Sequence, residues 1–221
     1  MKLIVLAAGN GTRMGGGAKG LIPLSNGEVM LDHHIRHLAP FVDETFIVTG
    51  AWRGSYEERY GDQYNYIFNP VWAAASNLFS VWIALKAVEG AFILSNCDIV
   101  ASRSLVERLV AKAFEIGEAS LVMDGAQETR QAYGGMSVVV SADAIERVRA
   151  RVEELIVTMA KPGGRLDDKG HWDVFCLPDE KFGERAVLYE DRRELAEVDT
   201  WSDMALMYRD ILDGKTEVLN D

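Results

Sequence analysis

The sequence predicts an α/β chain, a three-layer α/β/α domain with helices on both faces of a central sheet. Three observations carry that prediction. Short apolar runs alternate with longer segments whose apolar residues recur every three or four positions. The first run, Leu3-Ile4-Val5-Leu6-Ala7-Ala8, is apolar throughout, as a strand buried on both faces should be, and passes straight into Gly9-Asn10-Gly11. A later run, 91–95, ends at Asn96-Cys97-Asp98, which puts a carboxylate at the carboxyl end of a buried strand, where open α/β sheets gather their ligands.

Taken in order, the glycine turn allows a backbone path that most side chains would block, and it sets amide N–H groups in a row. Such a row cradles phosphate oxygens, and Thr12, Arg13 and Lys19 add a hydroxyl and two positive charges within one loop. The ligand this predicts is a polyphosphate. A dinucleotide fold would want G-x-G-x-x-G and an immediate helix, and a P-loop would want Gly-Lys-Ser/Thr; neither is present. Helical spacing begins near Val29 and runs to Phe41. Its His33, His34 and His37 could suggest a metal cluster, but adjacent residues on a helix face different directions, so they read as packed or solvated side chains. Strands follow over 43–48, ending at Thr49-Gly50, and 64–68, broken by Asn69-Pro70.

Ser76 is an N-cap for a helix with the apolar stripe Leu78, Val81, Trp82, Leu85 and Val88, and the polar Ser76, Asn77 and Ser80 lie where a helix N-terminus meets a ligand. After the 91–95 strand, Asp98 needs a cation, because a buried carboxylate without a partner is costly; a magnesium ion shared with triphosphate oxygens would serve. A helix over 103–116 and a strand over 119–123 come next. The polar stretch 124–132 reads as a loop bordering an acceptor site, and Tyr133-Gly134-Gly135 leads into a strand over 136–140. A long helix with Ile145, Val148, Val152, Leu155, Ile156 and Met159 on one face stops at Pro162-Gly163-Gly164. The chain then gives a surface loop over 165–170, an apolar stretch over 171–177, a strand over 186–189 and a last helix with Met204, Met207, Tyr208 and Ile211 inward.

Composition excludes several function classes. The 221 residues carry a net charge of −11, which repels nucleic acid and anionic membranes. No apolar run approaches the ~20 residues that span a bilayer, and the N-terminus moves directly into a strand, so a cytoplasmic location is expected. Cys97 and Cys176 have no metal or redox spacing and read as small buried residues, Cys97 being an oxidation-sensitive neighbour of Asp98. No repeat or linker divides the chain, so 1–221 reads as a single domain.

Leu6-Ala7-Ala8-Gly9-Asn10-Gly11-Thr12-Arg13-Met14, followed by Lys19-Gly20-Leu21-Ile22-Pro23-Leu24, resembles the signature of the nucleotidyltransferase family that includes sugar-1-phosphate and phosphocholine transferases; Ala18 stands where that family usually has proline. Ala75-Ser76-Asn77-Leu78-Phe79-Ser80-Val81 resembles the base-side segment of its cytidylyltransferase branch, and Glu197-Val198-Asp199-Thr200-Trp201-Ser202-Asp203 a late acidic motif. The resemblance implies a Rossmann-like three-layer domain with a mixed, mostly parallel sheet (a GT-A-like nucleotidyltransferase fold). It assigns nucleotide binding to Leu6, Ala7, Ala8, Gly9, Gly11, Thr12, Ser76 and Asn77, catalysis to Arg13 and Lys19, and Mg²⁺ to Asp98 and Asp199. Glu197 and Asp203 read as bystanders, one stabilising the loop and the other starting the last helix. Arg130, Tyr133 and Trp172 are acceptor candidates, with Trp72 and Trp201 as further members of an aromatic cage; many relatives have a lysine-bearing segment where this chain offers only Arg130, which leaves the acceptor open.

The implied reaction is Mg²⁺-dependent cytidylyl transfer from CTP to a small phosphorylated or phosphonate acceptor, phosphocholine-like, with release of pyrophosphate. Two alternatives stay open: a sugar-1-phosphate or molybdopterin-type transferase using UTP, GTP or another nucleotide, and a non-catalytic nucleotide-binding regulatory module. Retention of Arg13, Lys19, Asp98 and Asp199 together argues against the second. An oligomer is compatible with all three.

Overall fold

A computed structural model describes residues 1–123, 137–176, 186–190 and 193–219. In chain order the elements are β1 (Lys2–Ala7), α1 (Met30–Leu38), β2 (Glu44–Thr49), α2 (Arg53–Tyr60), β3 (Asn65–Phe68), α3 (Asn77–Ala87), β4 (Phe92–Asn96) and β5 (Ile99–Ala101). They continue with α4 (Arg103–Ile116), β6 (Glu118–Met123), β7 (Ser137–Val140), α5 (Ile145–Met159), α6 (His171–Phe175), β8 (Ala186–Glu190), β9 (Leu195–Glu197) and α7 (Trp201–Leu212). A seven-stranded sheet runs β3-β2-β1-β4-β7-β6-β8, and β5 pairs with β9 in a separate two-stranded sheet. Within the large sheet β7 is antiparallel to both neighbours and every other pair is parallel, so the sheet is mixed and mostly parallel.

The period of two along β1 divides the core. Ile4 and Leu6 join α3, α5 and α6 on one face, while Leu3, Val5 and Ala7 join α1, α2 and α4 on the other. A third, smaller cluster sits off the sheet: Met14, Leu24, Met30, Val100, Ala196, Val198, Met204, Met207 and Val218 pack the Arg13 turn against β5, β9 and α7. The three histidines of α1 are packed, at 0%, 1% and 2% exposure. The His37 ring donates to the Ala101 carbonyl at 2.8 Å, His33 to the Val218 carbonyl at 3.0 Å, and His34 Nε2 meets Ser95 Oγ at 2.6 Å. Both cysteines are buried, and burial pushes the Cys97 thiol up to about 12, which makes it a poor target for oxidation and corrects that expectation.

Four further elements depart from the sequence reading. Helix α2 has no apolar stripe, because only Tyr56 and Tyr60 of its eight residues are buried. Strands β5 and β9, three residues each, are too short to show a period. The apolar stretch from His171, left without an element type by the sequence, is a short helix. Trp82 is half-buried, its indole donating to Glu153 at 2.7 Å at the rim of the α3 stripe.

Candidate active site

At the carboxyl ends of β1 and β4 lies a cavity of about 770 Å³. Leu6, Ala7, Ala8, Gly9, Gly11 and Thr12 form one wall; Arg13, Lys19, Asp98 and Asp199 converge beside it. The turn holds its shape through glycine. Gly11 has φ +66°, and a Cβ there would come within 2.3 Å of the Gly17 carbonyl oxygen, so only glycine lets the loop fold back on itself. Its carbonyl accepts from Met14 and Gly16 at 2.9 and 3.0 Å.

The small two-stranded sheet brings the distant acids together. Ile99 pairs with Glu197, and the Val198 amide donates to the Asp98 carbonyl at 2.9 Å, which sets Asp199 beside Asp98. Lys19 Nζ donates to Asp98 Oδ2 at 3.0 Å and to Asp199 Oδ1, while Arg13 Nη1 donates to Asp199 Oδ2. Burial works against the Lys19 charge, but Asp98 and Asp199 outweigh it and hold its pKa above the usual 10.5. Asp98 is pushed upward by burial, opposed by Lys19 and reinforced by Asp199.

Glu197 completes the cluster. Carboxylate oxygens of Asp98, Glu197 and Asp199 all lie within 4.8 Å of one another. Burial, then the charges of Asp98 and Asp199, push Glu197 up to about 9. It is therefore no bystander to the site, as the motif suggested. The signal was present in the sequence: alternate residues of an extended segment share a face, so in Glu197-Val198-Asp199 a buried Val198 puts both acids on the opposite side. A divalent cation fits this donor set. Three oxygens converge, and the buried Oδ1 of Asp98 has no hydrogen-bond partner among the described residues.

Comparison with known proteins gives the family and the fold. The sequence profile of the MobA-like NTP transferase domain matches residues 3–166, most of the chain. The chain belongs to the MobA-like NTP transferase family. Among curated relatives, this NTP transferase domain is 32% identical over 155 residues to CMP-5'-(3-aminopropyl)phosphonate synthase of Streptomyces rubellomurinus, a match spanning 66% of this chain and 24% of that protein. It is 34% identical over 112 residues to the bifunctional IPC transferase and DIPP synthase of Archaeoglobus fulgidus, covering 50% of this chain and 23% of that protein. The matches thus span about a quarter of the length of these relatives. Among solved structures, the CTP:phosphocholine cytidylyltransferase of Streptococcus pneumoniae superposes with a TM-score of 0.67 at 17% identity, over 95% of this chain and 98% of that one, which shows a shared fold.

The opposite wall of the NTP transferase cavity is built differently. Ser76 caps α3, its Oγ accepting from the Leu78 amide at 3.3 Å and donating to the Lys169 carbonyl. Asn77 Oδ1 accepts the His171 amide at 3.1 Å, and the Ser76 amide donates to the Leu166 carbonyl at 3.0 Å. Both residues line the cavity, but the Ser76 hydroxyl, as donor, and Asn77 Oδ1, as acceptor, also dock the 165–171 segment. Buried Asn69 and Ser80, joined at 3.0 Å, line the same cavity. Trp72 and Trp172 are on the wall; Trp201 is not, being 59% exposed with its indole bonded to the Met14 carbonyl. Thr200 caps α7 and Asp203 completes the cap from the first turn, its Oδ2 accepting the Thr200 amide at 2.7 Å, while Asp203 also lines the cavity. Arg130 and Tyr133 lie outside the described residues. No helix among the described residues is long and apolar enough to cross a membrane.

Proposed function

We propose that this chain, 1–221 taken as one nucleotidyltransferase domain, transfers a cytidylyl group from CTP to a small phosphorylated or phosphonate acceptor and releases pyrophosphate, with Mg²⁺ as the cofactor and the cytoplasm as its location. The observation that carries the reading is the convergence, in one cavity, of a glycine turn, two cations and three carboxylates drawn from both ends of the chain. Support for CTP and for the acceptor class comes from the relatives, whose names include a CMP-phosphonate synthase and a phosphocholine cytidylyltransferase.

Both reactants are anions, so the task is to cancel repulsion and hold them in line. An acceptor oxygen attacks the α-phosphorus; the new O–P bond forms as the bond to the bridging oxygen of the β-phosphate breaks, and that electron pair leaves with pyrophosphate. Lys19 and Arg13 carry the positive charge that moves onto the triphosphate. Arg13 can do so readily, because its side chain is 64% exposed and, among the described residues, is held by Asp199 alone. The turn amides and the Thr12 hydroxyl supply hydrogen bonds to phosphate oxygens. Asp98, Asp199 and Glu197 would hold Mg²⁺, which supplies charge to the α-phosphate region when bound. A phosphate oxygen is already a competent nucleophile, so no covalent enzyme intermediate is required.

Purified protein incubated with each of CTP, UTP, GTP and ATP, Mg²⁺ and a panel of phosphorylated alcohols, phosphonates and sugar phosphates tests the reading through pyrophosphate release. Turnover with CTP and a phospho- or phosphonoalkyl acceptor is expected. Turnover confined to sugar phosphates would replace that acceptor class.

A further inference from the structure

The phosphate-facing wall is made of backbone, so the direction of each peptide group decides what it offers a ligand. The Ala8 carbonyl accepts the Ala51 amide at 3.1 Å. Two donors reach the Asn10 carbonyl: the indole N–H of Trp52 at 3.1 Å and the Gly17 amide at 3.2 Å. None of Gly17, Ala51 and Trp52 lies on the cavity wall, whereas Gly9 and Gly11 do. The peptides are trans, and in a planar trans peptide the carbonyl of one residue and the amide N–H of the next point in opposite directions. Carbonyls of Ala8 and Asn10 held toward residues 51–52 therefore turn the N–H groups of Gly9 and Gly11 toward the cavity.

The segment after β2 is pressed close enough to enforce this. A Cβ on Gly50 would come within 2.4 Å of the Ala8 carbonyl oxygen, so glycine there permits the approach. Trp52 is half-buried and packs against the α1 and α2 side of the core, which fixes its ring. Resting on the nucleotidyltransferase reading above, we propose that Trp52 is a positioning residue of the phosphate site. Its indole N–H locks the Asn10–Gly11 peptide so that the Gly11 amide donates to an oxygen of the nucleoside triphosphate. The indole does not touch the substrate; it acts through the loop.

The test uses the full chain labelled with ¹⁵N, titrated with CTP, UTP, GTP and ATP, and the tightest binder is carried forward. In the wild type the Gly9 and Gly11 amide resonances should move downfield at saturation while the Trp52 indole resonance holds its place. Trp52→Phe keeps the ring and removes the donor; it should weaken triphosphate binding about three- to tenfold, the worth of one hydrogen bond, with an almost unchanged melting temperature and a smaller Gly11 shift. A purely structural role would lower the melting temperature and leave the Gly11 shift at saturation intact, and that result overturns the proposal. So does a Gly11 resonance that fails to move in the saturated wild type, a measurement independent of any variant. Failure of the wild type to bind any of the four triphosphates would remove the nucleotidyltransferase reading itself, whereas normal binding by both proteins would remove only the role of Trp52.

Discussion

The two walls of the cavity are held in place by different means. On one, Lys19, Asp98 and Asp199 form a buried ion network on or beside strand ends, and their attachments are ladder hydrogen bonds and packed core. On the other, Ser76 and Asn77 sit at the start of α3 and grip the 165–171 segment through a few side-chain-to-backbone bonds. On the proposed reading the first wall would carry the chemistry and the second ligand selection, since charge placement needs the stiffer support.

The sharpest way to break this division is at the acids. Asp98→Asn or Asp199→Asn is expected to lower turnover by about 10² or more with the fold intact, because each removes a carboxylate that would hold Mg²⁺ at the reacting phosphate; near-normal rates with normal circular dichroism would refute the assignment. Next in size, Lys19→Ala should weaken triphosphate binding by about 2–4 kcal/mol, measured by calorimetry, since a largely desolvated cation is lost. Unchanged affinity would count against its phosphate role. Asn77→Ala tests the other wall. It should raise the KM for the nucleotide by about three- to tenfold while kcat stays close to wild type, and speed hydrogen exchange at the His171 amide. A fall in kcat with KM unchanged would move Asn77 into the chemistry.

The last comparison is of stability against pH, and it sets histidines from the two regions side by side. Burial lowers His34, under the sheet, and His171, in the second wall, to about 3 from an ordinary 6.5. The unfolded chain then binds protons that the folded one refuses, so stability is complete above about 6.5 and is lost as pH falls toward 3, by up to about 1.4 kcal/mol per pH unit for each ring. His171→Asn should flatten that slope in denaturant titrations at pH 4 to 7. An unaltered slope would show that His171 is not buried neutral.

Much of this was legible in the sequence. Uninterrupted apolar runs such as Leu3–Ala8 gave the strands, and capped stripes such as that after Ser76 gave the helices. Asp98 stood out because a carboxylate ends a buried strand. What escaped notice had little pattern to offer: α2 buries too few residues to show a stripe, and β5 and β9 are shorter than two periods. The meeting of Asp199 with Asp98 followed from likeness to a family motif and not from any period, because it depends on a three-residue pairing across the chain. Glu197 was passed over although its spacing from Asp199 placed both on one face.

The third packing cluster has a consequence of its own. Arg13 and Asp199 are both carried by elements that rest on it, and four of its nine buried members are methionines, which pack flexibly and oxidise to polar sulfoxides. Peroxide treatment, or trimming Met204 or Met207, would therefore slacken the guanidinium–carboxylate alignment while the seven-stranded scaffold stands, giving an adjustment screw for the reaction that is separate from whether the molecule holds together.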